Sequence, residues 1–336
     1  MKLLILGGTG FLGRTIADMA LAQKFDVTCV ARGESGTAPE GVTFVTADRD
    51  LPSALDPVLD TEWDAVVDLA RQPGHVWQAC EDLAPYTEHY IFVSSCNVYA
   101  DHSHPGGNEV ATLVPSLEGP VMTDMSEYGP AKAACEDAVA ARIGLERSTI
   151  IRAGLIGGPG DPTGRGGYWP WRFANPANEA NRVLAPYSPS LPQSILDVRD
   201  LADWITVLAE HKRAGIYDAF GEIQQLPDIL RLAKAAAEES TGTETELVEM
   251  PPVWLTGHGV AEWSGPESLP LWLTDPNWFG FNARTSRRAA SAGLVRRPLS
   301  ETLTDSLEWE QQRPADLPRQ AGLSDERHRE LLQGIR

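Results

Sequence analysis

Three glycines at three-residue intervals follow the first apolar run of the chain. "KLLILGGTGFLGRT" places Gly7, Gly10 and Gly13 directly after a short greasy stretch. The stretch after the first glycines is amphipathic, with Phe11, Leu12, Ile16, Met19 and Ala20 on one side between Phe11 and Gln23. A strand that turns through glycines into a helix, with "DVTCVA" (26–31) following as the next strand, is a βαβ unit. In such a unit the glycines serve three ends, namely the sharp turn, close approach of backbone to a pyrophosphate, and tight packing of helix on strand. The helix N-terminus adds unpaired N–H groups and a partial positive charge. The turn therefore reads as a dinucleotide cradle rather than an empty corner.

The pattern continues. "VTFVTA" (42–47), "WDAVVDLA" (63–70) and "YIFVSS" (90–95) are apolar runs bounded by turn-formers, as expected for strands buried on both faces. "SEYGPAKAACEDAVAARIG" (126–144) predicts a helix and "STIIRAGLI" (148–156) a further strand. The expected fold class is α/β, a Rossmann doubly wound parallel sheet. A smaller C-terminal substrate-binding α/β subdomain should follow. Residues 1–156 would form the dinucleotide-binding domain, 157–315 the smaller subdomain (not strictly contiguous), and 316–336 a polar C-terminal tail. Beyond residue 157 the texture is rich in Gly, Pro and aromatics, and two helical patterns return at 198–211 and 226–240. Asp200 is expected to cap the first of these rather than catalyse.

Net charge narrows the partners. A formal charge of −19 opposes a nucleic-acid backbone, which clustered Lys and Arg would have to hold. The four cysteines are scattered without a CxxC pair, so neither zinc nor a disulfide framework is expected. "DHSH" (101–104) lacks a third ligand, and no metal is expected. No apolar stretch approaches the roughly 20 residues that span a bilayer. A cytoplasmic protein without a membrane partner is the expectation.

The end of the second strand separates the two nicotinamide dinucleotides. An NAD site places an acid there for the ribose hydroxyls, whereas "CVARGE" offers Ala31 and then Arg32. A guanidinium grips a 2′-phosphate that a carboxylate would repel. NADP is the expected cofactor, and Glu34 keeps NAD as the alternative. Asp48 of "ADRD" is a candidate acceptor for the adenine amino group.

"YGPAK" sets Tyr128 and Lys132 four apart on one helix face. A free phenol with a pKa of about 10 is a poor base at neutral pH. An ammonium one turn away, together with the cationic nicotinamide, is expected to lower that pKa, so that the phenol exchanges a proton with a substrate oxygen. Ser95 ends the fifth strand, where doubly wound sheets bind ligands, and could hold the same oxygen.

"GGTGFLG", "FVSSCNVYAD" and "YGPAK", in that order, resemble the extended short-chain dehydrogenase/reductase family, also called the NAD-dependent epimerase/dehydratase family. "IRAGLIGGPGD" and "SILDVRDLADW" are similar to its later motifs, so the likeness runs to about residue 310. Bacterial reductase-like members, grouped with isoflavone-reductase-like proteins, look most alike. The resemblance implies Tyr128 as catalytic tyrosine, Lys132 as ribose-binding lysine and Ser95 as catalytic hydroxyl. The expected cofactor-binding set is Gly7, Thr9, Gly10, Phe11, Leu12, Gly13, Arg32, Asp48, Leu69, Ala70, Arg71 and Lys132. Cys96 and Asn97 stand where the family's sugar-nucleotide dehydratases carry Asp-Glu, which disfavours dehydration. Ala153 replaces a usual proline, and Arg71 replaces a small residue, within reach of cofactor phosphate or substrate.

An NAD(P)-dependent oxidoreductase acting on a small carbonyl or alcohol substrate is the leading expectation. An epimerase with the same triad is the alternative. A third reading is a cofactor-sensing or RNA-associated protein without turnover, similar to a plastid branch of the family; the net charge speaks against RNA. The resemblance suggests a homodimer through the Tyr128 helix. Asn97, Arg165, Tyr168, Trp169 and Arg172 are candidate substrate contacts, the arginines for a carboxylate or phosphate and the aromatics for a ring. Trp263 and Trp272 are expected in the core or a lid.

Overall fold

Leu3 and Ile5 point to one side of the first strand and Leu4 and Leu6 to the other, and all four are fully or almost fully buried. Burial of both faces requires a layer of helices above and below, and the computed structural model, which describes residues 1–314 and 317–335, has them. Seven parallel strands form the central sheet. In chain order they begin with β1 (Lys2–Leu6), β2 (Asp26–Ala31), β3 (Thr43–Thr46), β4 (Ala65–Asp68), β5 (Tyr90–Ser95) and β6 (Ser148–Ala153). Across the sheet the order is β3-β2-β1-β4-β5-β6, followed by the strand Gly215–Ala219 beside β6. The order reverses between β1 and β4, and α/β sheets open a ligand crevice at such a point.

Helix α1 (Phe11–Ala22) covers one face together with the helix Val198–His211, whose Leu201, Trp204 and Ile205 join the core around Ile16 and Leu3. Helices α2 (Pro73–Leu83) and α3 (Tyr128–Arg142) cover the other face, where Val76, Leu83 and Val139 meet Val66 and Phe92. Each such aliphatic side chain contributes about 1.5–3 kcal/mol by leaving water.

Most strand and helix readings hold to within two residues. β3 is the exception to burial on both faces: it is an edge strand with Phe44 exposed. The strand expected over 148–156 stops at Ala153. Gly154 donates instead to Ala219 O at 2.9 Å, and a Cβ there would lie 2.3 Å from the Phe220 ring.

A second core, built around Trp169, Phe173, Leu184, Ile229, Trp272 and Leu307, lies in the C-terminal half. The chain returns from it to the large sheet through Val198–His211 and Gly215–Ala219. The boundary drawn at 315/316 falls on residues outside those described. The segment expected as a polar tail contains the helix Asp325–Gln333, capped by Ser324, whose His328, Leu331 and Leu332 are buried against the second core. Asp197, not Asp200, caps Val198–His211 by accepting from Arg199 N at 2.8 Å. Asp200 sits one turn in and pairs with Arg297 at 2.8 Å.

Candidate functional site

A cleft of about 1220 Å³ opens over the carboxyl ends of β1 to β6. Its floor begins at the glycine turn. Gly7 has φ +106°, a left-handed conformation that side chains rarely adopt. At Gly13 a Cβ would lie 2.1 Å from Gly7 O, so the third glycine is needed for packing. Gly10 is different: a Cβ there would meet nothing within 4 Å and would project into the cleft. Gly8, which the sequence pattern does not single out, is also required, because a Cβ would lie 2.4 Å from Cys29 Sγ.

Gly10 caps α1 through its backbone alone, and the helix's first turn carries no acidic residue. The open space above Gly10 and the uncapped helix start both fit a bound diphosphate. Thr9, Phe11 and Leu12 also line the cleft. Leu69 packs over Gly7 and Gly13, donating from its N–H to Leu6 O at 3.1 Å.

The strand ends supply the remaining walls. Arg32 lines the mouth and is exposed, paired with Glu34 at 3.2 Å. Asp48 lines it too and accepts from Asp50 N at 3.1 Å. At the end of β4, Asp68 is wholly buried. It accepts from Arg49 at 2.8 and 3.1 Å, from Tyr90 Oη at 2.7 Å and from Ala70 N at 2.9 Å. Burial pushes this carboxyl up, but the Arg49 guanidinium together with the hydrogen bonds from Tyr90 and Ala70 N more than offsets it and holds the group below the usual range. The loop Leu69–Gln72 is thereby fixed, and Gln72 ties it to Met122 across the cleft at 2.7 and 3.2 Å.

Ser95, Tyr128 and Lys132 meet in this cleft. Ser95 ends β5 and donates from Oγ to Asn97 Oδ1 at 2.8 Å. Tyr128 opens α3, preceded by a turn in which Asp124 and Glu127 form a capping box. Gly129 lets α3 approach the turn after β5 closely, since a Cβ there would lie 2.3 Å from Asn97 O. The Lys132 ammonium is buried, donates to Ala70 O and Val93 O at 2.7 Å each, and lies 4.5 Å from the Phe92 ring centroid. Burial lowers its pKa to about 8. The expectation for Tyr128 included the charge of a nicotinamide; from the protein groups alone, burial pushes the phenol above its ordinary value, against downward pulls from Ser95 and Arg71. The lysine is committed to two backbone carbonyls, and Arg71 and Arg165 are further cations whose charge interacts with the phenol.

Asn97 and Arg165 reach the cleft, and Arg71 lines its wall. Tyr168, Trp169 and Arg172 do not. Their short helix (Tyr168–Ala174) is packed into the second core, with all three fully buried. Trp169 Nε1 donates to Pro270 O at 2.8 Å, and Arg172 to Leu323 O and Asp325 at 2.7 Å each. Trp272 is core as expected, whereas Trp263 and Phe281 line the cleft. His102 stacks on Trp278 with centroids 5.1 Å apart. Among the described residues no group of three or more His, Cys, Asp or Glu side chains could hold a metal, and no helix is long and apolar enough to cross a membrane.

The fold is a parallel doubly wound sheet of the Rossmann kind, with the glycine turn and Ser95, Tyr128 and Lys132 lining the cleft over its carboxyl edge. The resemblance read from the motifs accordingly holds: residues 3–84 match the profile of the NAD dependent epimerase/dehydratase family, a family that binds a nicotinamide cofactor. The chain is similar to 2'-dehydrokanamycin reductase of Streptomyces kanamyceticus, 28% identical over 164 residues. That match covers 46% of this chain and 43% of the relative, so less than half of the relative's length is spanned. The fold is similar to UDP-N-acetylglucosamine 4-epimerase from Bacillus cereus, with TM-score 0.66, 15% identity, and 94% and 98% of the two chains covered. It is also similar to Thermus thermophilus UDP-glucose 4-epimerase, solved in complex with NAD, with TM-score 0.63, 18% identity, and 94% and 100% covered.

Proposed function

We propose that the protein is a nicotinamide-dependent oxidoreductase, NADP preferred, that reduces a carbonyl of a small substrate or oxidises the matching alcohol. The observation that carries this reading is the convergence of Ser95, Tyr128 and Lys132 with the Gly7–Gly13 turn on one cleft. When bound, the nicotinamide supplies or takes up the hydride. The amides at the start of α1 would hold the diphosphate. Lys132 joins the loop after β4 to the end of β5 through Ala70 O and Val93 O and would hold the ribose. Ser95 Oγ orients the substrate oxygen. Tyr128 Oη gives that oxygen a proton in reduction and takes one in oxidation.

Arg32 supports the NADP preference. Its pairing with Glu34 is solvent-exposed and worth little, so the guanidinium can exchange that carboxylate for a 2′-phosphate.

The test is consumption of NADPH and NADH against a panel of ketones, aldehydes and keto-sugars. NADPH turnover is expected, with Tyr128→Phe reducing it about 100-fold or more. A protein that purifies with nicotinamide tightly retained and interconverts epimers without consuming NADPH would overturn the reductase in favour of the epimerase.

A further inference from the structure

Cations in the cleft divide into those with protein partners and those without. Arg32 pairs with Glu34, Arg49 with Asp68, His75 with Asp50, and Lys132 with two carbonyls. Arg165 donates from Nε to Thr163 Oγ1 at 3.2 Å, but among the described residues its terminal nitrogens have no acceptor. Asp161, the acid beside it, is committed to its own loop. It accepts from Thr163 N and Oγ1 at 2.8 and 2.7 Å and from Gly166 N at 3.4 Å. Arg71 lines the same cleft as an exposed side chain that makes no ion pair or side-chain hydrogen bond among the described residues, and its charge interacts with both Tyr128 and Lys132. Gln72, the next residue, ties the Arg71 loop to the segment leading into Tyr128.

The wall beside Arg165 is aromatic. Trp263 lies with its ring centroid 5.6 Å from the guanidinium and stands edge-on to Phe281 at 5.3 Å. Trp263 holds φ +65°, a left-handed conformation costly for an aromatic residue, and donates from its N–H to Trp272 O at 3.0 Å. The guanidinium is half-buried beside the Trp263 ring with no protein acceptor for its terminal nitrogens among the described residues, and burial depresses its pKa while Asp161 only partly restores it.

We infer that Arg165 and Arg71 form a two-sided clamp for an anionic group of the substrate, a carboxylate or phosphate carried near the carbon whose oxygen meets Tyr128. The inference rests on the oxidoreductase reading of the same cleft and names its substrate class: keto acids or phosphorylated ketones, not neutral or cationic ones. Two planar guanidinium forks suit such oxyanions, each offering paired N–H donors.

Binding tests this without turnover. Malonate and inorganic phosphate, titrated against the full-length protein at ionic strength matched with potassium chloride, should quench tryptophan fluorescence saturably. The preferred probe distinguishes carboxylate from phosphate. Arg165→Met should weaken that probe about tenfold or more and Arg71→Met about threefold or more, with Arg165→Lys recovering part of the loss. Near-ultraviolet circular dichroism reports whether each variant is folded. Quenching should largely vanish in Trp263→Phe.

In turnover, Arg165→Met should raise KM for a keto acid about tenfold more than for the matched methyl ketone. Probes that bind no better than chloride, or folded arginine variants that bind them as wild type does, overturn the clamp. Anion binding that depends on both arginines, with no NADPH-dependent turnover of any carbonyl, leaves the clamp standing and overturns the oxidoreductase.

Discussion

Gly10 and Gly13 stand three residues apart in one turn and answer to different forces. Gly13 is hemmed by Gly7 O and Leu69, so a methyl group must displace backbone; Gly10 faces open cleft. Gly13→Ala should therefore cost about 2 kcal/mol in urea unfolding through overpacking. Gly10→Ala should leave stability within about 0.5 kcal/mol while weakening NADPH binding about tenfold or more, measured by calorimetry. Equal stability losses in the two variants would remove the distinction. The spacing of the glycines made this turn legible in the sequence. Gly8 and Gly129 were not legible, because what crowds them, Cys29 Sγ and Asn97 O, comes from other elements. The same holds for Lys132: its helical spacing from Tyr128 is local, but the carbonyls that take its ammonium lie 62 and 39 residues away.

Strands declared themselves through apolar runs, yet what sets their ends is polar. β4 stops at Asp68, a wholly buried carboxylate with Arg49, Tyr90 and Ala70 N around it, and the loop leaving it carries Leu69, Ala70 and Arg71 into the cleft. "DRD" reads as a turn with an adenine-binding acid at Asp48, and nothing local says that Arg49 reaches across to the next strand. Removing one partner of a buried pair leaves the other uncompensated. Arg49→Met should cost about 3–5 kcal/mol. Tyr90→Phe should cost about 1.5–3 kcal/mol, the loss of one hydrogen bond to a charged group. Adding Asp68→Leu to Arg49→Met should recover most of the stability, because the stranded charge is gone. An Arg49→Met cost below about 1 kcal/mol would show that Asp68 is compensated by other means.

At the scale of the whole molecule the first half was legible because βαβ alternation repeats, whereas the second half builds its core from segments without a shared period. Trp169 and Arg172 look like site residues in an irregular stretch, and only the long-range packing against Pro270, Leu323 and Asp325 shows them to be core. Three histidines are buried in the molecule's interior. His89 bonds Thr149 Oγ1 at 2.8 Å, His102 lies between Trp278 and Phe281, and His328 Nε2 accepts from Leu184 N at 2.8 Å. Burial depresses all three, to about 4, about 4 and about 3. The unfolded chain protonates near pH 6.5 and the native one does not, so stability falls as pH drops from about 6.5 toward 4. Asp218 acts oppositely: burial raises it to about 6, so the native state binds the extra proton and gains stability as pH falls through 6. Between pH 7 and pH 5 each histidine should cost about 2 kcal/mol and Asp218 should offset about 1 kcal/mol, a net loss of roughly 4–5 kcal/mol. Urea midpoints measured at the two pH values check it; a midpoint that holds steady or rises on acidification would mean that these imidazoles already accept protons in the folded protein.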